Sequence, residues 1–198
     1  MNKLLFSLFF LTSIISLSQN FNGGWFAGIS TTQVSGDELS GFNKIGPCIG
    51  LYINHNIKWY QIQLELRYIT KGSKKVIDNT NQNDITFNYN LHLDYVGIPI
   101  LLSTNIRKNT KIELGTEINF LIRQKEEIDF YIDNTRIINK LETCVFIGVL
   151  YNINEKYALS SRISNSFLPI RSHASGETYR LNKGQYNTCL MFNLYYLF

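Results

Sequence analysis

From about residue 24 onward, hydrophobic residues recur at every second position, and a period of two admits strands with two chemically different faces and little else. In the clearest segment Tyr60, Ile62, Leu64, Leu66 and Tyr68 share one side, and Gln61, Gln63, Glu65 and Arg67 share the other. Lys111 to Arg123 repeats the pattern. Ile112, Leu114, Thr116, Ile118, Phe120 and Ile122 oppose Lys111, Glu113, Gly115, Glu117, Asn119 and Arg123. At the C-terminal end Tyr186, Thr188, Leu190, Phe192, Leu194, Tyr196 and Phe198 alternate with Asn187, Cys189, Met191, Asn193 and Tyr195. Five further segments complete a set of eight: Gly24–Thr32, Ile45–Asn54, Tyr95–Asn105, Thr143–Ile153 and Tyr157–Phe167.

The connections alternate in length. Tight polar turns fall at Asn54–Lys58, Arg107–Thr110 and Asn154–Lys156, and longer segments join Thr32 to Ile45, Lys71 to Leu91, Arg123 to Leu141 and Phe167 to Gln185. Short turns on one side and long loops on the other predict an all-β, eight-stranded antiparallel up-and-down transmembrane barrel. The faces separate this from a soluble lipocalin-like barrel, whose apolar side would line a ligand cavity. The apolar sides begin and end on aromatics, Tyr60 and Tyr68, Tyr157 and Phe167, Tyr186 and Phe198, as two lipid interfaces would require. The polar sides mix charge signs, so Gln63, Glu65, Arg67, Glu113, Glu117 and Arg162 are expected to form a structural network inside the lumen. A mean hydropathy of −0.08 fits, because alternation averages to neutral.

Lys3, the apolar run Leu4–Leu17 and the small residues Ser16 and Ser18 predict a signal peptide over 1–18, cut before Gln19, which leaves 19–198 as one barrel domain. The net charge of +4 is too small and too dispersed for nucleic acid. Lys71, Lys74 and Lys75 form one short basic group, expected in a solvated loop. Cys48, Cys144 and Cys189 have neither the spacing of a zinc site nor that of a disulfide scaffold. All three fall on the inward face of non-adjacent strands, so they are expected to stay unpaired.

No residue set predicts catalysis or a cofactor. His55 and His92 stand alone, and His173 lies with Ser172, Ser175 and Glu177 in one polar loop without a strand to fix their geometry. Glu113 and Glu117 are about 13 Å apart along one strand, too far to cooperate in hydrolysis. The expected role is structural or interactive: a monomeric barrel in outer-membrane lipid that meets protein partners through extracellular loops or periplasmic turns. A lipid-modifying enzyme of the same fold is the alternative.

Several spaced motifs resemble the eight-stranded outer-membrane β-barrel domain family that includes the PorT-like proteins. They are Gly24, Ala27, Gly28, Ser30 and Thr31 with Ser35-Gly36, then Gln63, Glu65, Leu66, Tyr68, Lys71 and Gly72. Tyr95-Val96-Gly97-Ile98-Pro99-Ile100-Leu101-Leu102 follows, and then Glu113 and Gly115. Gly97 stands where the family carries Glu on the lumen side, so the resemblance implies an altered inner charge network. It implies an outer-membrane location and this architecture, and for some members a part in a protein-export and gliding apparatus.

Overall fold

The computed structural model describes residues 21–37, 39, 41–75, 88–129, 131–133, 135–173 and 184–198; the expected signal segment lies outside them. Among the described residues nine strands run β1 Phe21–Ser35, β2 Lys44–Ile57, β3 Tyr60–Lys74, β4 Tyr89–Arg107, β5 Thr110–Ile128, β6 Tyr131–Ile132, β7 Leu141–Asn152, β8 Tyr157–Ser166 and β9 Tyr186–Leu197. Eight of them pair antiparallel in the order β4-β3-β2-β1-β9-β8-β7-β5, and the β4–β5 pairing closes the ring. The two-residue β6 extends a hairpin from the end of β5. Among the described residues, no helix is long and apolar enough to cross a membrane, which says nothing of a barrel that crosses with strands.

Both expected faces of the wall are present. Ile49, Leu51, Ile53, Leu64, Leu66, Ile98, Ile100, Leu114, Ile118, Val145, Ile147 and Phe192 point outward and are exposed. Along β5 this outward band runs from Ile112 to Ile122, about 33 Å of strand or about 25 Å of height at a tilt of roughly 40°. Aromatics crowd its short-turn edge: the Trp25, Tyr157 and Phe198 rings all lie within 6.2 Å of Tyr196, and Trp59 meets Tyr60 at 4.9 Å.

Strands β4 and β5 are 19 residues each, while about 9–11 suffice to cross a bilayer, so their far halves stand above the apolar band. A β-bulge marks the passage. Asp94 pairs with Arg123 and Tyr95 with Leu121, leaving Ile122 as the extra residue of β5. The bulge corrects the expected placement of Arg123. Above it the parity of β5 inverts, so Arg123 is turned outward and two-thirds exposed, while Glu126 is buried. There Arg123 Nε donates to Asp94 at 2.7 Å, and Thr70 and His92 approach the same carboxylate.

The β2–β3 register stops at Cys48 opposite Ile69, and beyond that point β3 leans across the mouth of the barrel. The Ser30 and Thr32 hydroxyls of β1 donate to the Thr70 and Gly72 carbonyls at 2.8 Å. Gly72 makes the bend: its φ is +136°, and a Cβ there would lie 2.1 Å from the Leu91 carbonyl oxygen. This inward hairpin brings Ile69, Leu91, Leu93 and Tyr95 together with Val34, Ile138 and Ile170 in an apolar plug at the long-loop end.

Candidate functional site

Below the plug the lumen is filled by charged side chains in two tiers. The lower tier centres on Arg162 of β8. Its Nε and Nη2 donate to the Glu113 carboxylate of β5 at 2.7 and 3.1 Å, and its Nη1 reaches both Glu65 oxygens of β3 at 2.9 and 3.0 Å. Glu65 also accepts from Gln63 Nε2 at 2.7 Å and from the Tyr195 hydroxyl at 2.9 Å. The guanidinium lies 5.3 Å from the Phe146 ring centre and 5.5 Å from that of Tyr195.

The upper tier joins Arg67, Lys71, Glu117 and Glu142. Arg67 Nη2 donates to Glu117, and its Nη1 lies 3.1 Å from the Met191 sulfur. The Lys71 ammonium bonds Glu142 at 2.7 Å and Glu117 at 3.2 Å. Asn119 Nδ2 spans the same two carboxylates at 2.9 and 2.8 Å, and Asn187 Nδ2 reaches Glu142 at 2.7 Å. Each cation thus meets a carboxylate, and in a water-poor interior that pairing is what makes burial of charge tolerable.

All six residues expected in the lumen lie there, buried and hydrogen-bonded to one another or to added partners. Lys71 corrects the sequence reading. The basic group was expected in a solvated loop, but β3 continues to Lys74 and turns Lys71 fully inward. Asn119, Asn187 and Tyr195, on the inward faces by parity, join the network, and Glu142 is a member that the pattern does not single out. Gly97 is explained too: a Cβ there would lie 2.1 Å from Asn119 Oδ1, so Asn119 takes the space that a larger residue would need.

Glu117, Glu142 and Cys144 hold ligand atoms within 4.8 Å of one another, the spacing of a metal cradle. The Lys71 ammonium sits among them, 3.5 Å from the Cys144 sulfur, and supplies the positive charge itself. The three thiols are free and buried, on β2, β7 and β9, no two of which are neighbours.

Above the apolar band Arg171 clasps the mouth. It donates to Glu126 at 2.6 and 3.0 Å, to the Tyr89 hydroxyl at 2.9 Å and to Gln185, and Gln185 Nε2 donates to the Gly36 carbonyl at 2.9 Å. Burial, opposed by Arg171 and reinforced by Glu126, pushes the Tyr89 phenol well above its usual range, so it keeps the proton it donates to Glu126 at 2.7 Å. Among the described residues the candidate catalytic groups are not brought together. His92 meets Asp94 and Arg123 rather than a hydroxyl, and the His55 ring lies 5.0 Å from that of Phe21. Ser175 and Glu177 lie outside the described residues.

Two solved structures illustrate the likeness of fold. The neisserial surface protein A superposes with a TM-score of 0.53 at 13% identity, over 90% of this chain and 97% of that one. The attachment invasion locus protein Ail of Yersinia pestis, solved with the heparin analogue sucrose octasulfate, gives 0.50 at 10% identity, over 91% and 100%. No curated protein sequence matches the chain. The model of one family, described as the outer membrane protein β-barrel domain, matches residues 15–196. With its closed wall, its outward apolar band and this match over nearly its whole length, the chain belongs to that family and is a protein of the bacterial outer membrane.

Proposed function

We propose that the protein is a structural or interaction component of the outer membrane that neither conducts ions nor catalyses a reaction. The observation that carries this reading is the committed interior: two ion-paired tiers, an apolar plug above them and the Arg171 clasp over the plug. An eight-stranded barrel is just wide enough for side chains to fill, and at mid-barrel here those are engaged with one another. What is left for work is the loops outside and the turns and mouth on the periplasmic side. Steady conductance in planar-bilayer recordings of the purified barrel would defeat this reading; the expected trace is flat.

The motifs from Gly24 to Gly115 favour a PorT-like role in a protein-export apparatus as the finer assignment. Their support is the shared pattern of strands β1, β3, β4 and β5. Deletion of the gene should then leave exported cargo stranded in the periplasm, whereas normal export in the deletion strain would remove that assignment and leave the closed barrel standing.

A further inference from the structure

The periplasmic end of the lumen is unlike the rest of the interior. Below Arg162 it opens into a polar vestibule of about 180 Å³, bordered by Asn54, Gln61, Gln63 and Lys111 among others. A second hollow of about 260 Å³ shares Asn56, Gln61 and Lys111 with it and extends to Trp59.

Two polar groups on the wall are incompletely satisfied. The half-buried Lys111 ammonium has one hydrogen-bond partner, the Gln61 side-chain carbonyl at 3.1 Å, which also accepts from Ser103. Among the described residues no carboxylate stands within ion-pairing distance of it. Glu113 is about 7 Å up the same strand face, with both oxygens taken by Arg162. Asn54 is 7% exposed, and its Oδ1 accepts from no donor. Other buried atoms lack partners too, but Asn54 Oδ1 belongs to a residue that borders an open cavity. In the tiers above, by contrast, each cation meets a carboxylate.

Glu155 and Lys156 stand exposed at the rim; deeper in, a half-buried cation without a carboxylate partner, an unfilled acceptor and a wall of carboxamides describe the complement of a definite group. Carboxamides present donor and acceptor side by side, as a peptide bond does. Phosphate would favour the forked donors of Arg, and the wall offers none. We propose that the vestibule binds the carboxylate end of a peptide, with the carboxylate on Lys111 and an amide N–H donating to Asn54 Oδ1 once the buried Asn54 side chain turns toward the cavity. Gln61 and Asn56 then pair with the remaining peptide groups. This gives a partner chemistry to the interaction role proposed above and rests on it. A non-conducting barrel that binds no carboxylate would leave that role standing and remove only the site.

The C-terminus of a periplasmic protein and the peptide of the cell wall share this chemistry, and probes of opposite chirality separate them. The full purified barrel is titrated calorimetrically with acetyl-L-alanyl-L-alanine and with acetyl-D-alanyl-D-alanine, each beside its C-terminal carboxamide. One carboxylate probe should bind at least tenfold more tightly than its carboxamide, and the chirality preferred names the source. K111M should abolish that difference. So should N54D, which sets a competing carboxylate into the same vestibule wall, and heat-modifiable mobility shows that each variant is folded. Equal binding of carboxylate and carboxamide, no heat with either probe at millimolar concentration, or unchanged preference in both folded variants would overturn the site.

Discussion

The ion-paired belt at mid-barrel and the apolar plug above it are parts of one interior built on opposite principles, and strand β4 passes through both. In its membrane half Ile98, Ile100 and Leu102 face outward while Gly97 and Ser103 face inward; in its upper half Leu91, Leu93 and Tyr95 face inward while His92 and Asp94 face outward. The alternation never breaks along β4. What changes is the surrounding medium. Where lipid surrounds the wall, apolar side chains gain nothing by turning inward, and the interior must be held by hydrogen bonds, ion pairs and close packing. Where water surrounds it, the hydrophobic effect returns and fills the interior with Leu, Ile and Tyr. The two regions therefore answer differently to the same kind of damage.

The largest response is expected in the belt. Arg162→Ala strips Glu65 and Glu113 of their shared cation and leaves two buried carboxylates, a loss of about 3–5 kcal/mol, which equilibrium unfolding in urea from lipid vesicles would measure. A loss below about 1 kcal/mol would mean that water relieves the belt, and the contrast with the plug would fail. Next comes the plug itself. Leu93→Ala removes a fully buried side chain from a water-surrounded core and should cost about 2–5 kcal/mol, with the barrel below still closed by heat-modifiable mobility. If this variant opened the whole barrel, plug and belt would be one unit rather than two. The smallest effect falls at the rim. Arg171→Ala removes charge-assisted hydrogen bonds to Glu126 at about 1.5–3 kcal/mol, and hydrogen exchange should rise at Tyr89 and Gln185 but not at Glu65 or Glu113.

The fold could be read from the chain because period two survives in nearly every membrane-crossing segment. The strand count, the inward set Gln63, Glu65, Arg67, Glu113, Glu117 and Arg162, and the alternation of short and long connections all follow from it. Lys71 and Arg123 depart from the sequence expectation for two separate physical reasons. Parity assigns a face only within an unbroken register, and the extra residue at Ile122 inverted everything beyond it in β5. Lys71 stands among three nearby lysines, a composition that points to a loop, although its odd position continues the inward series of Glu65, Arg67 and Ile69. A usable signal for the plug lay in Leu91, Leu93 and Tyr95, whose apolar parity is opposite to that of Val96, Ile98 and Ile100 in the same strand. The periplasmic vestibule left no such trace: Asn54, Asn56, Gln61 and Gln63 face one another across the β2–β3 hairpin as ordinary inward polar residues, and Lys111 joins them only from β5, two strands beyond β3.

Arg162 also bears on how the barrel is assembled. Its partners come from β3, β5 and β9, and the Tyr195 hydroxyl that completes Glu65 lies 130 residues further along the chain. No partial sheet can satisfy this set, so an open intermediate must keep its carboxylates and guanidinium hydrated. Such a sheet cannot enter hydrocarbon strand by strand without stranding those charges. Insertion and curling of the sheet are therefore expected to be coupled. Non-local pairing of this kind folds slowly, and slow folding with charges exposed leaves time for an assembly factor to hold the open edges of β1 and β9.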